Sequence, residues 1–301
     1  MSYIVATEQL TKRYGGRTVV DGLNLRIPPG CVYGFLGPNG SGKSTTMKML
    51  LSLVRPSSGE VRIMGRPMNP ATRRGLLAHI GSLIESPPGY GHLTGRENMR
   101  LVQRLLDLPD RYVDEAVRTV RMQDQLDKKV RDYSLGMKQR LGIAMALARR
   151  PRLLILDEPT NGLDPAGIEE IRDLLRRLSG AGVTVMVSSH LLGEIDKTAT
   201  MLGILNGGRL IFQGTRDELL AASTPDVLID TPDPEYANAQ LKGMVASRVD
   251  RGSVRVSGIG DPVTARVVAH LVGAGVDIYG VRRDEQSLED VFLALTGGGG
   301  L

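Results

Sequence analysis

Residues Gly37-Pro38-Asn39-Gly40-Ser41-Gly42-Lys43-Ser44 constrain this chain more than any other stretch. They fit the pattern G-x-x-x-x-G-K-S/T and follow an apolar run, Cys31-Val32-Tyr33-Gly34-Phe35-Leu36, that reads as a buried strand. Beyond Lys43, Met47, Leu50, Leu51 and Val54 recur at helical spacing. A glycine loop between strand and helix lets consecutive backbone N–H groups curl around phosphate oxygens, and the helix N-terminus adds partial positive charge. In that setting Gly37, Pro38, Asn39, Gly40, Ser41, Gly42, Lys43, Ser44 and Thr45 are the candidate phosphate cradle. Lys43 is placed to reach the β- and γ-phosphates of a nucleotide, and the Ser44 hydroxyl to face Mg²⁺.

A second apolar run, Leu153-Leu154-Ile155-Leu156, ends in two carboxylates, Asp157 and Glu158. It shows no alternation, as expected of a parallel strand covered on both faces. Ligands of open α/β sheets bind outside the carboxyl ends of such strands. Asp157 is expected to face the metal beside Ser44, and Glu158 to polarise the attacking water. Val183–Val187 reads as a further strand, and Ile168, Ile171, Leu174, Leu175 and Leu178 mark an amphipathic crossover helix before it. This β-α-β alternation predicts an α/β core. Residues 3–36 read as short strands with turns at Gly15-Gly16, Asp21-Gly22 and Pro28-Pro29-Gly30; Glu60–Ile63 reads as another strand, and residues 94–150 as helix-rich.

Composition shifts at Ala222-Ser223-Thr224-Pro225-Asp226, which divides the chain into residues 1–222 and an accessory domain of residues 223–301. The second part reads as extended Val227–Ile229, a helix near 235–243, the strand Ser253–Val256, a helix near 262–273, extended Val276–Tyr279 and a last helix over Leu288–Leu295. Two short β-α-β units of this length suggest an α+β, ferredoxin-like domain, and the Gly297–Gly300 tail is expected to be disordered.

The 301 residues carry a formal net charge of +5, without a basic tract that would indicate nucleic-acid binding. The lone cysteine, Cys31, excludes an internal disulfide and reads as a packing residue. Met1–Glu8 has neither a basic n-region nor a long apolar stretch, so no secretory signal is expected. No apolar run reaches the roughly 18–20 residues that span a bilayer, so any membrane spans must come from other chains.

Tyr133-Ser134-Leu135-Gly136-Met137 opens a segment whose apolar residues, Leu141, Ala144, Met145, Leu147 and Ala148, lie at helical spacing, with Ser134 as a good N-cap. Taken alone, that is only a capped helix. With all these segments in view, residues 3–220 resemble the nucleotide-binding subunits of ABC transporters. The loop at 37–44 is similar to Walker A, and 153–158 to Walker B with its catalytic glutamate. Ser134, Leu135, Gly136 and Met137 are similar to the LSGGQ-type signature, Asn161, Gly162, Leu163 and Asp164 to the D-loop, and His190 to the switch histidine. Tyr14 stands where the family places an aromatic that stacks on adenine.

The resemblance implies a P-loop ABC ATPase fold: a RecA-like core with an antiparallel β subdomain and an α-helical subdomain, here about residues 86–150. It also implies ATP and Mg²⁺ as ligands, and a head-to-tail pair of chains in which Ser134, Leu135, Gly136 and Met137 cap the partner's nucleotide in trans. A separate transmembrane permease would hold the pair at the inner face of the cell membrane. Lys43, Glu158 and His190 become the catalytic set, and Ser44, Asp157 and Glu85 the metal set.

Two departures stand out. The signature has Leu135 and Met137 where the family pattern has glycine and glutamine, although backbone donors at a helix N-terminus do not depend on side chain. At the Q-loop, Glu85 replaces glutamine, and Glu85-Ser86-Pro87-Pro88-Gly89-Tyr90 resembles the variant of bacitracin- and lantibiotic-resistance exporters. Residues 85–95 are, by the same resemblance, the expected contact for membrane-domain helices, and the tail 287–293 resembles the ending of drug- and peptide-exporter ATPases. An importer ATPase, a soluble ABC ATPase acting on a ribosome or DNA, and a ligand-sensing module remain alternatives. His79, His92 and His270 lack such context and read as structural or surface residues.

Overall fold

The structure is a computed structural model that describes residues 3–85, 87–221 and 225–284, with 288, 291, 292 and 295 singly. The glycine tail, Ser86, residues 222–224 and half of the 288–295 segment read from sequence as a last helix lie outside the described residues. The chain divides into two compact units, Met1–Arg216 and Asp217–Leu301.

The first unit runs β1 (Val5–Tyr14), β2 (Arg17–Leu23), β3 (Arg26–Ile27), β4 (Val32–Leu36), α1 (Lys43–Leu50), β5 (Ser58–Ile63), β6 (Arg66–Pro67), α2 (Arg73–Leu77) and β7 (Ile80–Leu83). It continues with α3 (Gly95–Leu106), α4 (Asp110–Thr119), α5 (Leu135–Leu147), β8 (Leu153–Leu156), α6 (Pro165–Gly180), β9 (Thr184–Ser189), α7 (Leu192–Ile195), β10 (Met201–Asn206) and β11 (Arg209–Gly214). α8 (Arg216–Ala221) follows.

Two sheets form. An antiparallel one has the order β2-β1-β5-β6, with β3 also pairing β1. The central sheet has the order β11-β10-β4-β9-β8-β7 and is parallel from β10 to β7. β4 and β8 are buried at every position, which is why neither alternates. Tyr33 is fully buried in β4 and donates its hydroxyl hydrogen to Gln213 Oε1 at 2.9 Å; burial pushes its pKa up. Cys31 packs just before β4, and burial raises its thiol to about 11.

The expected turn at Asp21-Gly22 is instead part of β2. The ladder between β1 and β2 shifts register between Leu10 and Lys12, opposite this point, and the Gly22 N–H donates to Thr11 Oγ1 at 3.0 Å. A glycine inside a strand here marks a bulge, not a reversal.

The second unit continues with β12 (Asp226–Asp230), α9 (Pro234–Gln240), β13 (Ser247–Asp250), β14 (Ser253–Val256), α10 (Asp261–Gly273) and β15 (Gly280–Asp284). Its antiparallel sheet has the order β13-β14-β12-β15. Val227, Ile229, Val254 and Val256 alternate onto one face and meet Ala237, Leu241, Val267 and Leu271 of the helices. Each buried aliphatic side chain of this kind contributes about 1.5–3 kcal/mol. From the strands' polar positions, Arg255 bridges Asp226 at 3.1 Å, Asp250 at 2.8 Å and Asp284 at 2.6 Å.

The extended segment expected at Val276–Tyr279 is a connection, and the strand lies one step later, at β15. Val276 is buried in the core and its N–H bonds Leu271 O, closing the end of α10. The strand itself carries Arg282, Arg283 and Asp284 at the sheet edge, so it leaves no apolar signature.

Candidate functional site

β4, β8 and β9 are neighbours, with Leu36 opposite Ser189 and Leu156 opposite Val187. Their carboxyl ends therefore release three loops at one edge of the sheet: Gly37–Gly42, Asp157-Glu158 and His190. Parallel pairing is what brings residues more than a hundred positions apart together here.

The Gly37–Gly42 loop is built to keep side chains out. A Cβ on Gly37 would lie 2.2 Å from Leu205 O, and one on Gly42, which has φ 106°, would lie 2.7 Å from Val19 O. α1 then starts at Lys43 with no side-chain cap, and the first N–H groups of a helix have no partner within it. The Ser41 hydroxyl is buried without a hydrogen-bond partner. Uncapped N–H groups, an unpartnered hydroxyl and a buried ammonium form a donor-rich surface that fits a phosphate chain.

Lys43 is 5% exposed. Its Nζ donates to Gly37 O at 2.7 Å and Pro38 O at 3.3 Å, and lies 3.6 Å from Glu158 Oε1. Burial lowers its pKa, and the carboxylates of Glu158 and Asp157 oppose that shift. Asp157 is buried at the end of β8, where its Oδ1 accepts from Ser188 Oγ at 2.6 Å. Ser188 Oγ in turn accepts the Glu158 N–H at 2.9 Å. Glu158 itself adopts φ +47°, a conformation a non-glycine residue holds only when its surroundings impose it. Its Oε2 lies 3.3 Å from His190 Nδ1, which makes no hydrogen bond, and 3.4 Å from Asn161 Nδ2. The result is a line of groups, Lys43, Glu158 and His190, along the edge of the sheet.

Ser188 was not singled out from sequence as a site residue. Its signal is positional: a hydroxyl near the end of the strand next to the Asp-Glu strand. Lys48 was also missed. Its ammonium pairs with Glu85, whose side chain is 68% exposed and whose backbone has φ +69°. Glu85, expected in the metal set, thus pairs with Lys48 of α1. Among the described residues no group of three or more His, Cys, Asp or Glu is arranged to hold a metal. Ser44, Asp157 and Glu85 supply the oxygen donors of the expected metal set, and hydroxyl and carboxylate oxygens suit Mg²⁺.

Tyr14 ends β1 with its ring half exposed and Lys12 Nζ 4.7 Å from its centroid. Ser134 caps α5 as expected, accepting from the Met137 N–H at 3.2 Å. Leu135 is 42% exposed and packs over the D-loop of the same chain: a Cβ on Gly162 would lie 2.9 Å from Leu135 Cδ2, and one on Gly136 3.7 Å from Leu163 Cδ2. Asp164 caps α6 by accepting from Gly167 N–H at 3.0 Å. Tyr90 is exposed, and its backbone is pinned to buried Asn98 by two hydrogen bonds, of 2.8 and 3.1 Å. His92 lies edge-on to Tyr90, and His270 Nε2 contacts Gln240 O at 3.1 Å, so both are accounted for by packing.

A phosphate-binding loop after β4, a carboxylate pair after β8, two strands along in the same sheet, and a capped helix ahead of β8 together define a P-loop ATPase of the ABC class. The family model described as ABC transporter matches residues 20–161. The chain is 40% identical over 306 residues to the bacitracin transport ATP-binding protein BcrA of Enterococcus faecalis, covering 100% of this chain and 99% of the relative. It is 42% identical over 210 residues to the lantibiotic transport ATP-binding protein SrtF of Streptococcus pyogenes, covering 70% of this chain and 90% of the relative. The structure of cbiO1 from Clostridium perfringens, part of the ABC transporter complex cbiONQ, superposes with a TM-score of 0.68 at 30% identity, over 73% of this chain and 92% of that one. The chain belongs to the family of ABC transporter ATP-binding proteins. It is an ATP-hydrolysing subunit of an ABC transporter. No described helix is long and apolar enough to cross a membrane.

Proposed function

We propose that this chain powers an exporter of a peptide antibiotic, drug or lipid-like molecule, and that two copies clamp two ATP molecules head to tail. The observation that carries the ATPase half of the reading is the Lys43–Glu158–His190 line, with separations of 3.6 and 3.3 Å. Lys43 neutralises the β- and γ-phosphates, Glu158 orients or deprotonates the water, and His190 positions the γ-phosphate. Ser44 and Asp157 would hold Mg²⁺, which would neutralise charge on the phosphates. Glu85, paired with Lys48 through Oε1, would be the third oxygen donor. Tyr14 stacks on the base.

A single cradle covers one side of ATP and leaves the γ-phosphate open. The N-terminus of α5, with Ser134 and Gly136, supplies the donors that close it from a second copy. Asn161–Asp164 lies beside that cap through Leu135. Residues 87–94, anchored by Asn98, present Tyr90 to the permease, through which the pair is held at the inner face of the membrane. Support for export comes from the bacitracin and lantibiotic transport relatives, which match this chain over 100% and 70% of its length.

Export is tested by co-expressing the chain with the membrane subunit that co-purifies with it in a sensitive bacterial host. Raised resistance to at least one peptide antibiotic or drug is expected, abolished by Glu158→Gln in the chain. ATP-dependent accumulation of the compound inside the cell would assign the complex to import.

A further inference from the structure

At the opposite edge of the central sheet from the cradle, the C-terminal ends of α4, α5 and α6 converge on the starts of β8 and β9. They enclose a groove of about 710 Å³. Arg118, Arg121, Arg150, Arg152 and Arg177 line it, together with one acid, Glu115. All five arginines are exposed, whereas the floor includes the buried Leu147 and Leu178.

Helix capping accounts for part of this charge. Arg118 and Arg177 stand in the last turns of α4 and α6, where cations offset the carbonyl ends. Each helix end carries only about half a negative charge, so the three ends and Glu115 leave an excess of about two to three positive charges. Two further arginines occupy positions that capping alone would give to glycine. Arg121, the second residue past α4, and Arg150, the third past α5, have φ +56° and +51°, and their N–H groups bond back to Arg118 O and Leu147 O at 3.0 and 2.8 Å. Glycine takes this left-handed conformation more cheaply, yet the chain places arginine there twice, both lining the same groove. Arg150 is also held in place: its guanidinium lies 4.2 Å from the Tyr112 ring centroid and pairs with Glu115.

We propose that this groove docks an acidic polypeptide segment of a partner protein, with carboxylates on the arginine rim and apolar side chains on the floor. The concave shape does not match the flat plane of a bilayer surface, and a free phosphate would leave the apolar floor uncovered. Arginine forks on the rim match carboxylate geometry.

The experiment uses the full chain with its nucleotide site filled by a non-hydrolysable ATP analogue. The probe is a short fluorescein-labelled peptide of alternating glutamate and leucine, followed by anisotropy. Saturable binding that weakens with added salt is expected. The paired substitution Arg121→Gly and Arg150→Gly is expected to weaken it by about tenfold or more, because two rim charges are lost. Both sites already have the backbone glycine prefers, so the variant folds, and its basal ATPase stays unchanged. A glutamate–glycine peptide is expected to bind less tightly than the glutamate–leucine one. No binding, equal affinity in the variant, competition between peptide and nucleotide analogue, or equally tight binding of polyphosphate or phosphatidylglycerol vesicles would each overturn the proposal.

Discussion

Glu158→Gln lowers ATP turnover by about 10²–10⁴-fold while leaving ATP binding intact; that is the expected loss when a general base is replaced by an amide. The substitution keeps the shape of the side chain, so the strained backbone at φ +47° and the N–H bond to Ser188 are undisturbed. It removes only the charge and the basic lone pairs. The carboxylate now lies 3.6 Å from Lys43 and 3.3 Å from His190, and an amide oxygen can still occupy that place. Removing a negative charge beside the cradle also removes a competitor of the γ-phosphate for Lys43, so ATP affinity stays equal or rises. The bound pair should then accumulate as a nucleotide-dependent dimer. Phosphate release and size-exclusion chromatography with and without ATP read both effects. Normal turnover in this variant would remove Glu158 from the chemistry.

Lys43→Met is expected to abolish nucleotide binding without destabilising the chain. The ammonium is buried, and burial depresses its pKa. For a lysine that direction means the charged form is less favoured in the folded state than in the unfolded one. The burden is therefore full below the lowered folded-state value, shrinks as pH rises through it and is gone above the ordinary lysine value. Methionine fills the same channel without that burden, and Glu158, its partner, keeps access to water with 26% of its side chain exposed. In the unmodified chain, ATP at a hundredfold excess over its dissociation constant stabilises by about 2.7 kcal/mol, a shift in melting temperature of roughly 5–10 °C for a unit of this size. In the variant the melting temperature without ATP should be equal or higher, and the ATP-induced shift absent. A variant that melts lower but still shifts with ATP would contradict the assignment.

Much of the site was legible because its residues sit in segments with strong local rules. A glycine loop after an unalternating strand, and an acid pair after another, both announce the carboxyl edge of a parallel sheet. Ser134 was visible as a cap because N-caps are set by the side chain itself. What escaped depends on distant pairing. Ser188 matters only because β9 lies beside β8, and nothing local marks it. The pairing of Glu85 with Lys48 of α1 is likewise a contact that no local pattern could supply. The Asp21-Gly22 turn and the Val276–Tyr279 strand failed for a related reason. Glycine at a bulge looks like glycine at a turn, and a charged edge strand shows none of the alternation that betrays a covered one.

The two-copy clamp is tested most directly by mixing two inactive chains, one carrying Lys43→Met and the other Ser134→Arg. In a head-to-tail pair, one of the two composite sites of each mixed dimer takes its cradle from the Ser134→Arg chain and its cap from the Lys43→Met chain, and is intact. Equal mixing should therefore restore turnover to roughly a quarter of the unmodified level, since half of the pairs are mixed and each holds one good site. No turnover in the mixture, with both chains folded and the Ser134→Arg chain binding ATP, would contradict the clamp.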